Sequence, residues 1–69
     1  MNIPETVHSW LTERKGFAHC DDCIAEELTL ARRQQAHRVT SALATTRDFS
    51  RFDGTCHRCG EQRLVIERR

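Results

Sequence analysis

Two Cys-x-x-Cys pairs constrain this chain more than anything else in its 69 residues. Cys20 and Cys23 lie in "HCDDCIAEEL", Cys56 and Cys59 in "GTCHRCGEQRLVIERR", and 32 residues separate the pairs. A chain this short buries only about 60% of the surface that its unfolded form exposes. Its apolar content is 38%, with one Trp, three Phe and no Tyr, so the core is thin. Scaffolds of this size need a staple: disulfides, a metal or a partner chain. The cysteines are placed to provide one.

Two pairs at i, i+3 supply four thiolates, which suits tetrahedral zinc. No apolar run approaches the roughly 20 residues of a membrane span. The stretch "MNIPETVHSWLTERKG" has no basic segment followed by an apolar one. We therefore expect a cytoplasmic protein, whose thiols stay reduced and bind metal rather than each other. A redox Cys-x-x-Cys would want a thioredoxin-like βαβ unit, for which the chain is too short. Iron is the alternative metal, because four thiolates also hold a single iron or a cluster. The expectation is one structural zinc ion on Cys20, Cys23, Cys56 and Cys59. Four thiolates leave no open position for a substrate water, so we expect no enzyme. His8, His19, His37 and His57 read as surface or supporting residues beside those better ligands.

The two pairs differ in setting. In "CHRCG" a glycine after the second ligand lets the backbone turn around the sulfurs, where amides can donate to them. This pair resembles the zinc knuckle of zinc ribbons and rubredoxin-like sites, although His57 and Arg58 stand where a proline or small residue is usual. The separation of the pairs also exceeds the roughly 15–20 residues of the ribbon signature. In "CDDCIAEEL", Asp21 or Asp22 can cap a helix that places Cys23 on its first turn. One ligand pair is thus expected at a helix start and the other on a hairpin turn.

"IPETVHSWLTERKGF" reads as a helix. Pro4 suits the first helical positions, Val7, Trp10 and Leu11 share one face, and Gly16 suits the C-terminal cap with Phe17 folding back. From Asp21 to about Thr46 there is no Gly and no Pro. A single rod would bury Gln35 in its apolar stripe, and Leu30 would point away from Leu28. Two helices with a turn near Thr29–Ala31 fit better, the first burying Ile24 and Leu28, the second Ala36, Val39 and Leu43. Phe49 and Phe52 lead into Asp53-Gly54, a bend or bulge signal. The β-branched "RLVIER" is strand-like, so Thr55–Cys56 and Gln62–Arg68 are expected as arms of a hairpin with the knuckle at its tip.

"IAEELTLARRQQAHRVTSALATT" resembles the helix-turn-helix of DNA-binding proteins, and the order helix, helix, helix, hairpin is similar to that of a winged helix. Thr29 stands where the turn usually carries a glycine, and Ala31 where the second helix would be capped. The resemblance implies a single α+β domain over residues 1–69. Its parts are a three-helix helix-turn-helix-like core and a C-terminal β-hairpin, stapled by the four-cysteine zinc site. The implied function is DNA binding, as a transcriptional regulator or accessory factor acting on double-stranded DNA, with a homodimer or protein partner compatible with it. No membrane and no small-molecule substrate enter this reading.

With Ala36, Val39 and Leu43 inward, Arg33, Gln34, His37, Arg38 and Ser41 turn outward. Arg reads guanine edges and Gln adenine edges in the major groove, near the N-terminal end of a recognition helix. Arg32, Arg47, Arg51 and Arg63 are expected at phosphates. Residues 1–31 hold two basic and six acidic side chains, and residues 32–69 nine basic and four acidic. Such asymmetry favours an anionic partner for the second half. Asp21, Asp22 and the thiolates should make the metal end negative and turn phosphate away from it. The rival reading is a zinc-stabilised adaptor that docks on another protein, for which an exposed apolar patch at Trp10, Phe17 or Phe49 would be the sign. A third is a redox switch in which oxidation of Cys20 and Cys23 ejects zinc.

Overall fold

The computed structural model describes residues 2–69. Helix α1 (Ile3–Glu13) starts at Asn2, whose Oδ1 accepts a bond from the Glu5 amide at 2.9 Å. Val7 and Leu11 are completely buried and Trp10 partly so, as their spacing requires. The helix ends in a turn closed by the Phe17 amide on the Arg14 carbonyl at 3.0 Å. Gly16 takes φ +90° there, which a side chain would resist. Its amide donates to the Arg68 carbonyl at 3.0 Å, so the turn is tied to the last strand. Phe17 does not fold back on the helix. It is 50% exposed, and its ring lies against His57.

A two-residue strand, β1 (His19–Cys20), leads straight into helix α2 (Asp21–Glu27). Asp21 and Asp22 are helical residues and neither caps: the cap residue is Cys20, with no side-chain bond. Helix α2 closes with a pair of bonds, Leu30 N–H to the Ala25 carbonyl at 2.8 Å and Thr29 N–H to the Glu26 carbonyl at 3.3 Å. That is a Schellman motif, with Leu30 turned back on the core. Thr29 supplies its left-handed residue at φ 54°. The region from Asp21 onward is therefore two helices, and α3 (Arg33–Leu43) follows after a short turn. Gln35 stabilises its start, with Oε1 accepting from the Arg32 amide at 3.1 Å. Ala36, Val39 and Thr40 face inward, and Leu43 packs on the same core.

Strands β2 (Phe49–Thr55) and β3 (Gln62–Arg68) pair antiparallel from Phe49 opposite Arg68 to Thr55 opposite Gln62. The hairpin arm is longer than expected, because Asp53 and Gly54 continue the strand instead of bending it. The Phe52 ring lies over Gly54, where a β-carbon would come within 2.7 Å of it. Strand β1 pairs with β3, Cys20 opposite Val65, giving a three-stranded sheet of order β1-β3-β2. Two residues are too few to register as a strand in sequence. One buried cluster joins Val7, Leu11, Ile24, Ala25, Ala36, Val39, Phe49 and Ile66. A second joins Cys20, Cys23 and Cys56 to Val65.

Candidate metal centre

Strand β1 and helix α2 set the first ligand pair. Cys20 closes the strand and Cys23 sits in the first turn of the helix, both almost fully buried. The second pair lies on the loop between β2 and β3. That loop is a tight knuckle: the Gly60 amide donates to the Cys56 carbonyl at 2.9 Å and the Cys56 amide to the Glu61 carbonyl at 3.0 Å. Gly60 holds φ +74°, the conformation its position after the second cysteine implies. The His57 amide bonds the Ala18 carbonyl at 2.8 Å and so fastens the knuckle beside β1.

The four Sγ atoms lie within 4.8 Å of one another, and all four cysteines are free thiols. Cys20 and Cys59 sulfurs are 3.9 Å apart, those of Cys23 and Cys56 3.6 Å. Metal–sulfur bonds of ~2.3 Å at tetrahedral angles put sulfurs about 3.8 Å apart. The residues therefore fit a tetrahedral metal ion. Three of the sulfurs are buried and Cys59 is exposed. Burial pushes the Cys23 thiol up to about 12, despite the Arg58 guanidinium beside it. Burial also raises the Cys20 thiol. Burial acts on Cys56 the same way, but amides of Cys59, Cys20 and Arg58 aim at its sulfur and bring it down to about 6. The Cys20 amide donates to that sulfur at 3.4 Å. Backbone donors of this kind stabilise a bound thiolate.

No protein-family model, curated protein or solved structure matches this chain. The surroundings of the sulfurs must speak for the site.

Around the ligands, acids and arginines are matched. Asp21 is buried, with its carboxylate against Arg51 at 2.9 Å, the Thr40 hydroxyl at 2.8 Å and His37 Nδ1 at 3.1 Å. Burial alone would raise its carboxyl, but the bonds from Arg51 and Thr40, the charge of Arg51 and His37 together hold it below the usual range. Asp22 bridges Arg33, at 2.9 Å, and Arg63. Arg58, the unusual residue inside the knuckle, folds back onto Glu26 at 2.8 Å and Glu27 at 3.0 Å. The carboxylates of the acidic end foreseen from the sequence are thus paired within the fold.

Histidines are not ligands in this arrangement. The metal-competent group among the described residues consists of the four cysteines. His19 is buried, its Nδ1 lies 3.1 Å from the Phe17 carbonyl, and burial lowers its pKa. Its ring meets Trp10, at 4.7 Å between centroids, and His57, at 5.8 Å, edge to face.

The residues expected at DNA divide in two. Arg32, Gln34, Arg38 and Ser41 lie exposed on or beside α3, with Arg47 exposed beyond it. His37 is exposed but leans on Asp21. Arg33 and Arg63 are exposed yet engaged with Asp22. Arg51 turns inward: its side chain is 11% exposed and bonded to Asp21, not presented to solvent. Sequence reasoning missed Asp21 and Thr40 as buried partners of that arginine. Thr40, at i+4 from Ala36 on the inward face, was the available signal.

Proposed function

We propose that this protein is a small DNA-binding protein, a transcriptional regulator or accessory factor, whose four cysteines hold one structural zinc ion. The zinc would fasten the start of α2 to the tip of the β2–β3 hairpin. Helix α3 would face the duplex. The observation that carries this reading is the character of its outer face. Residues 28–47 contain no Asp or Glu and four arginines. Gln34, Arg38 and Ser41 stand exposed along it with Arg32 at its cap. Among the described residues Arg32, Arg38, Arg47 and Arg69 take no part in an ion pair, and the first three lie on or beside α3. A helix start favours acids in its first turn, and α3 has none there. Its positive end and two arginines instead suit phosphate and base edges. The element order α1-β1-α2-α3-β2-β3 is compatible with the winged-helix resemblance and supports this reading.

The test is a mobility-shift titration against random-sequence duplex at several salt concentrations. Affinity should fall linearly with the logarithm of salt, and Arg32→Ala and Arg38→Ala should each reduce that slope by about 1 or cost specificity at one base. Duplex affinity that ignores salt, or that survives both substitutions unchanged, sinks the reading.

One observation favours the adaptor instead. Phe17, half exposed, stacks on exposed His57 at 4.5 Å between centroids, beside the metal site. Phe17→Ser abolishing capture of a protein partner while duplex binding is absent would select that alternative.

A further inference from the structure

Asp22 draws two arginines from different elements onto one carboxylate. Arg33, the first residue of α3, places Nε 2.9 Å from Oδ1, and Arg63 of β3 bonds Oδ2. The three side chains are 68%, 39% and 36% exposed for Arg33, Arg63 and Asp22. They rim an open notch of about 360 Å³ between α3 and the hairpin, with the buried Arg51–Asp21 pair beneath. Arg51 and Asp21 cancel, and Glu61, 2.8 Å from Arg63, offsets the second arginine, so the fork is neutral until Asp22 turns away from it.

A buried pair is hard to open, but an exposed one contributes little and is easily exchanged. Guanidinium groups bind phosphate in the same forked geometry as carboxylate. Asp22 lies in the first turn of α2, which fixes its backbone, so its release needs only a side-chain rotation. We propose that Arg33 and Arg63 form a seat for a backbone phosphate of a nucleic acid, which Asp22 fills in the free protein until the phosphate displaces it. The seat rests on the DNA-binding reading above. It makes Asp22 a built-in competitor that weakens contact with any polyanion and leaves base choice to α3.

The experiment compares the wild type, Asp22→Asn, Arg33→Ala/Arg63→Ala, and the triple variant, all zinc-loaded by elemental analysis and folded by circular dichroism. Asp22→Ser replaces Asp22→Asn if the latter loses zinc. Duplex affinity is measured across salt. Asp22→Asn should tighten binding about three- to thirtyfold, the equivalent of two exposed ion pairs. The double arginine variant should reduce the salt slope by about 1.8. In the triple variant the gain from Asp22→Asn should vanish. Wild-type binding with an Asp22→Asn affinity that is unchanged or weaker overturns the seat and leaves the DNA reading standing. Absence of salt-dependent duplex binding in every variant overturns both. Inorganic phosphate is the control ligand. Perturbed Arg33 and Arg63 Nε resonances with inorganic phosphate, without duplex binding, would assign the fork to a free anion and refute the nucleic-acid seat.

Discussion

Replacing Arg51 by methionine keeps most of the side-chain stem and removes the guanidinium. The Asp21 carboxylate is then left 4% exposed, with only the Thr40 hydroxyl and His37 beside it. Removing one partner of a buried pair costs about 3–5 kcal/mol, and the Thr40 and His37 bonds place this case toward the lower end. A chain of this length has about 3–10 kcal/mol of stability in all, at ~0.05–0.15 kcal/mol per residue. The substitution should therefore consume much of it. At a urea dependence of ~1 kcal/mol per molar, suited to a small domain, the unfolding midpoint of the zinc-loaded protein should drop by about 3 M. Asp21→Asn in the same background should recover part of the loss, because no charge is then left unpaired. The double-mutant cycle isolates the pair. Arg38→Ala, on the exposed face, should change stability by no more than about 0.5 kcal/mol. A loss under about 1 kcal/mol for Arg51→Met would refute the buried pair. So would full stability with weakened duplex binding, which would return Arg51 to the surface role that its sequence context suggested.

Strong chelation should unfold the protein, since binding of structural zinc contributes roughly 10–16 kcal/mol in small domains. A circular dichroism melt unaffected by chelator would refute the staple. Thr29 sits at φ 54°, in a region that costs an L-residue about 1–2 kcal/mol. Thr29→Gly should thus raise the melting temperature by several degrees, at ~4–8 °C per kcal/mol; a lower melting temperature would mean that the Schellman turn is not formed as described. Gly60→Ala meets no atom within 4 Å, so its cost is purely one of backbone conformation. It should weaken metal affinity about tenfold in a chelator competition, and unchanged affinity would show that the knuckle can relax.

Much of this was readable from residue spacing. The metal ligands declare themselves because i, i+3 cysteines need no tertiary information. Helix α1 is legible because Val7, Trp10 and Leu11 obey its period, and the break before α3 because Leu30 cannot share a face with Leu28. The rest depended on contacts between distant residues. Nothing local says that His19–Cys20 will pair with Val65–Ile66, since two residues carry no period. Thr29 hid the end of α2 because the conformation it adopts is usually announced by glycine. Arg51 looked like any other arginine on a polar strand until Asp21, 30 positions earlier, was folded against it.

The charge asymmetry of the chain changes meaning once the pairs are known. Its first 31 residues carry four more acids than bases, and the remainder five more bases than acids. Four arginines of the second part, Arg33, Arg51, Arg58 and Arg63, pair with Asp21, Asp22, Glu26 and Glu27 of the first. Subtracting them leaves the first part neutral and the second with a single surplus charge. The asymmetry is therefore an internal fastening of α2 to α3 and the hairpin, not a signature of an anionic partner. What remains for a partner is local: the acid-free stretch through α3 and the fork held by Asp22. Long-range steering by net charge should then be weak, and any duplex affinity should come from contacts within a Debye length, ~10 Å at 0.1 M salt. That gives a sharp comparison. Arg68→Ala/Arg69→Ala, which removes two charges at the end of β3, should leave the salt slope nearly unchanged, whereas Arg32→Ala/Arg38→Ala should lower it by about 2. Equal effects from the two pairs would mean that the whole surface, and not this helix, attracts the duplex.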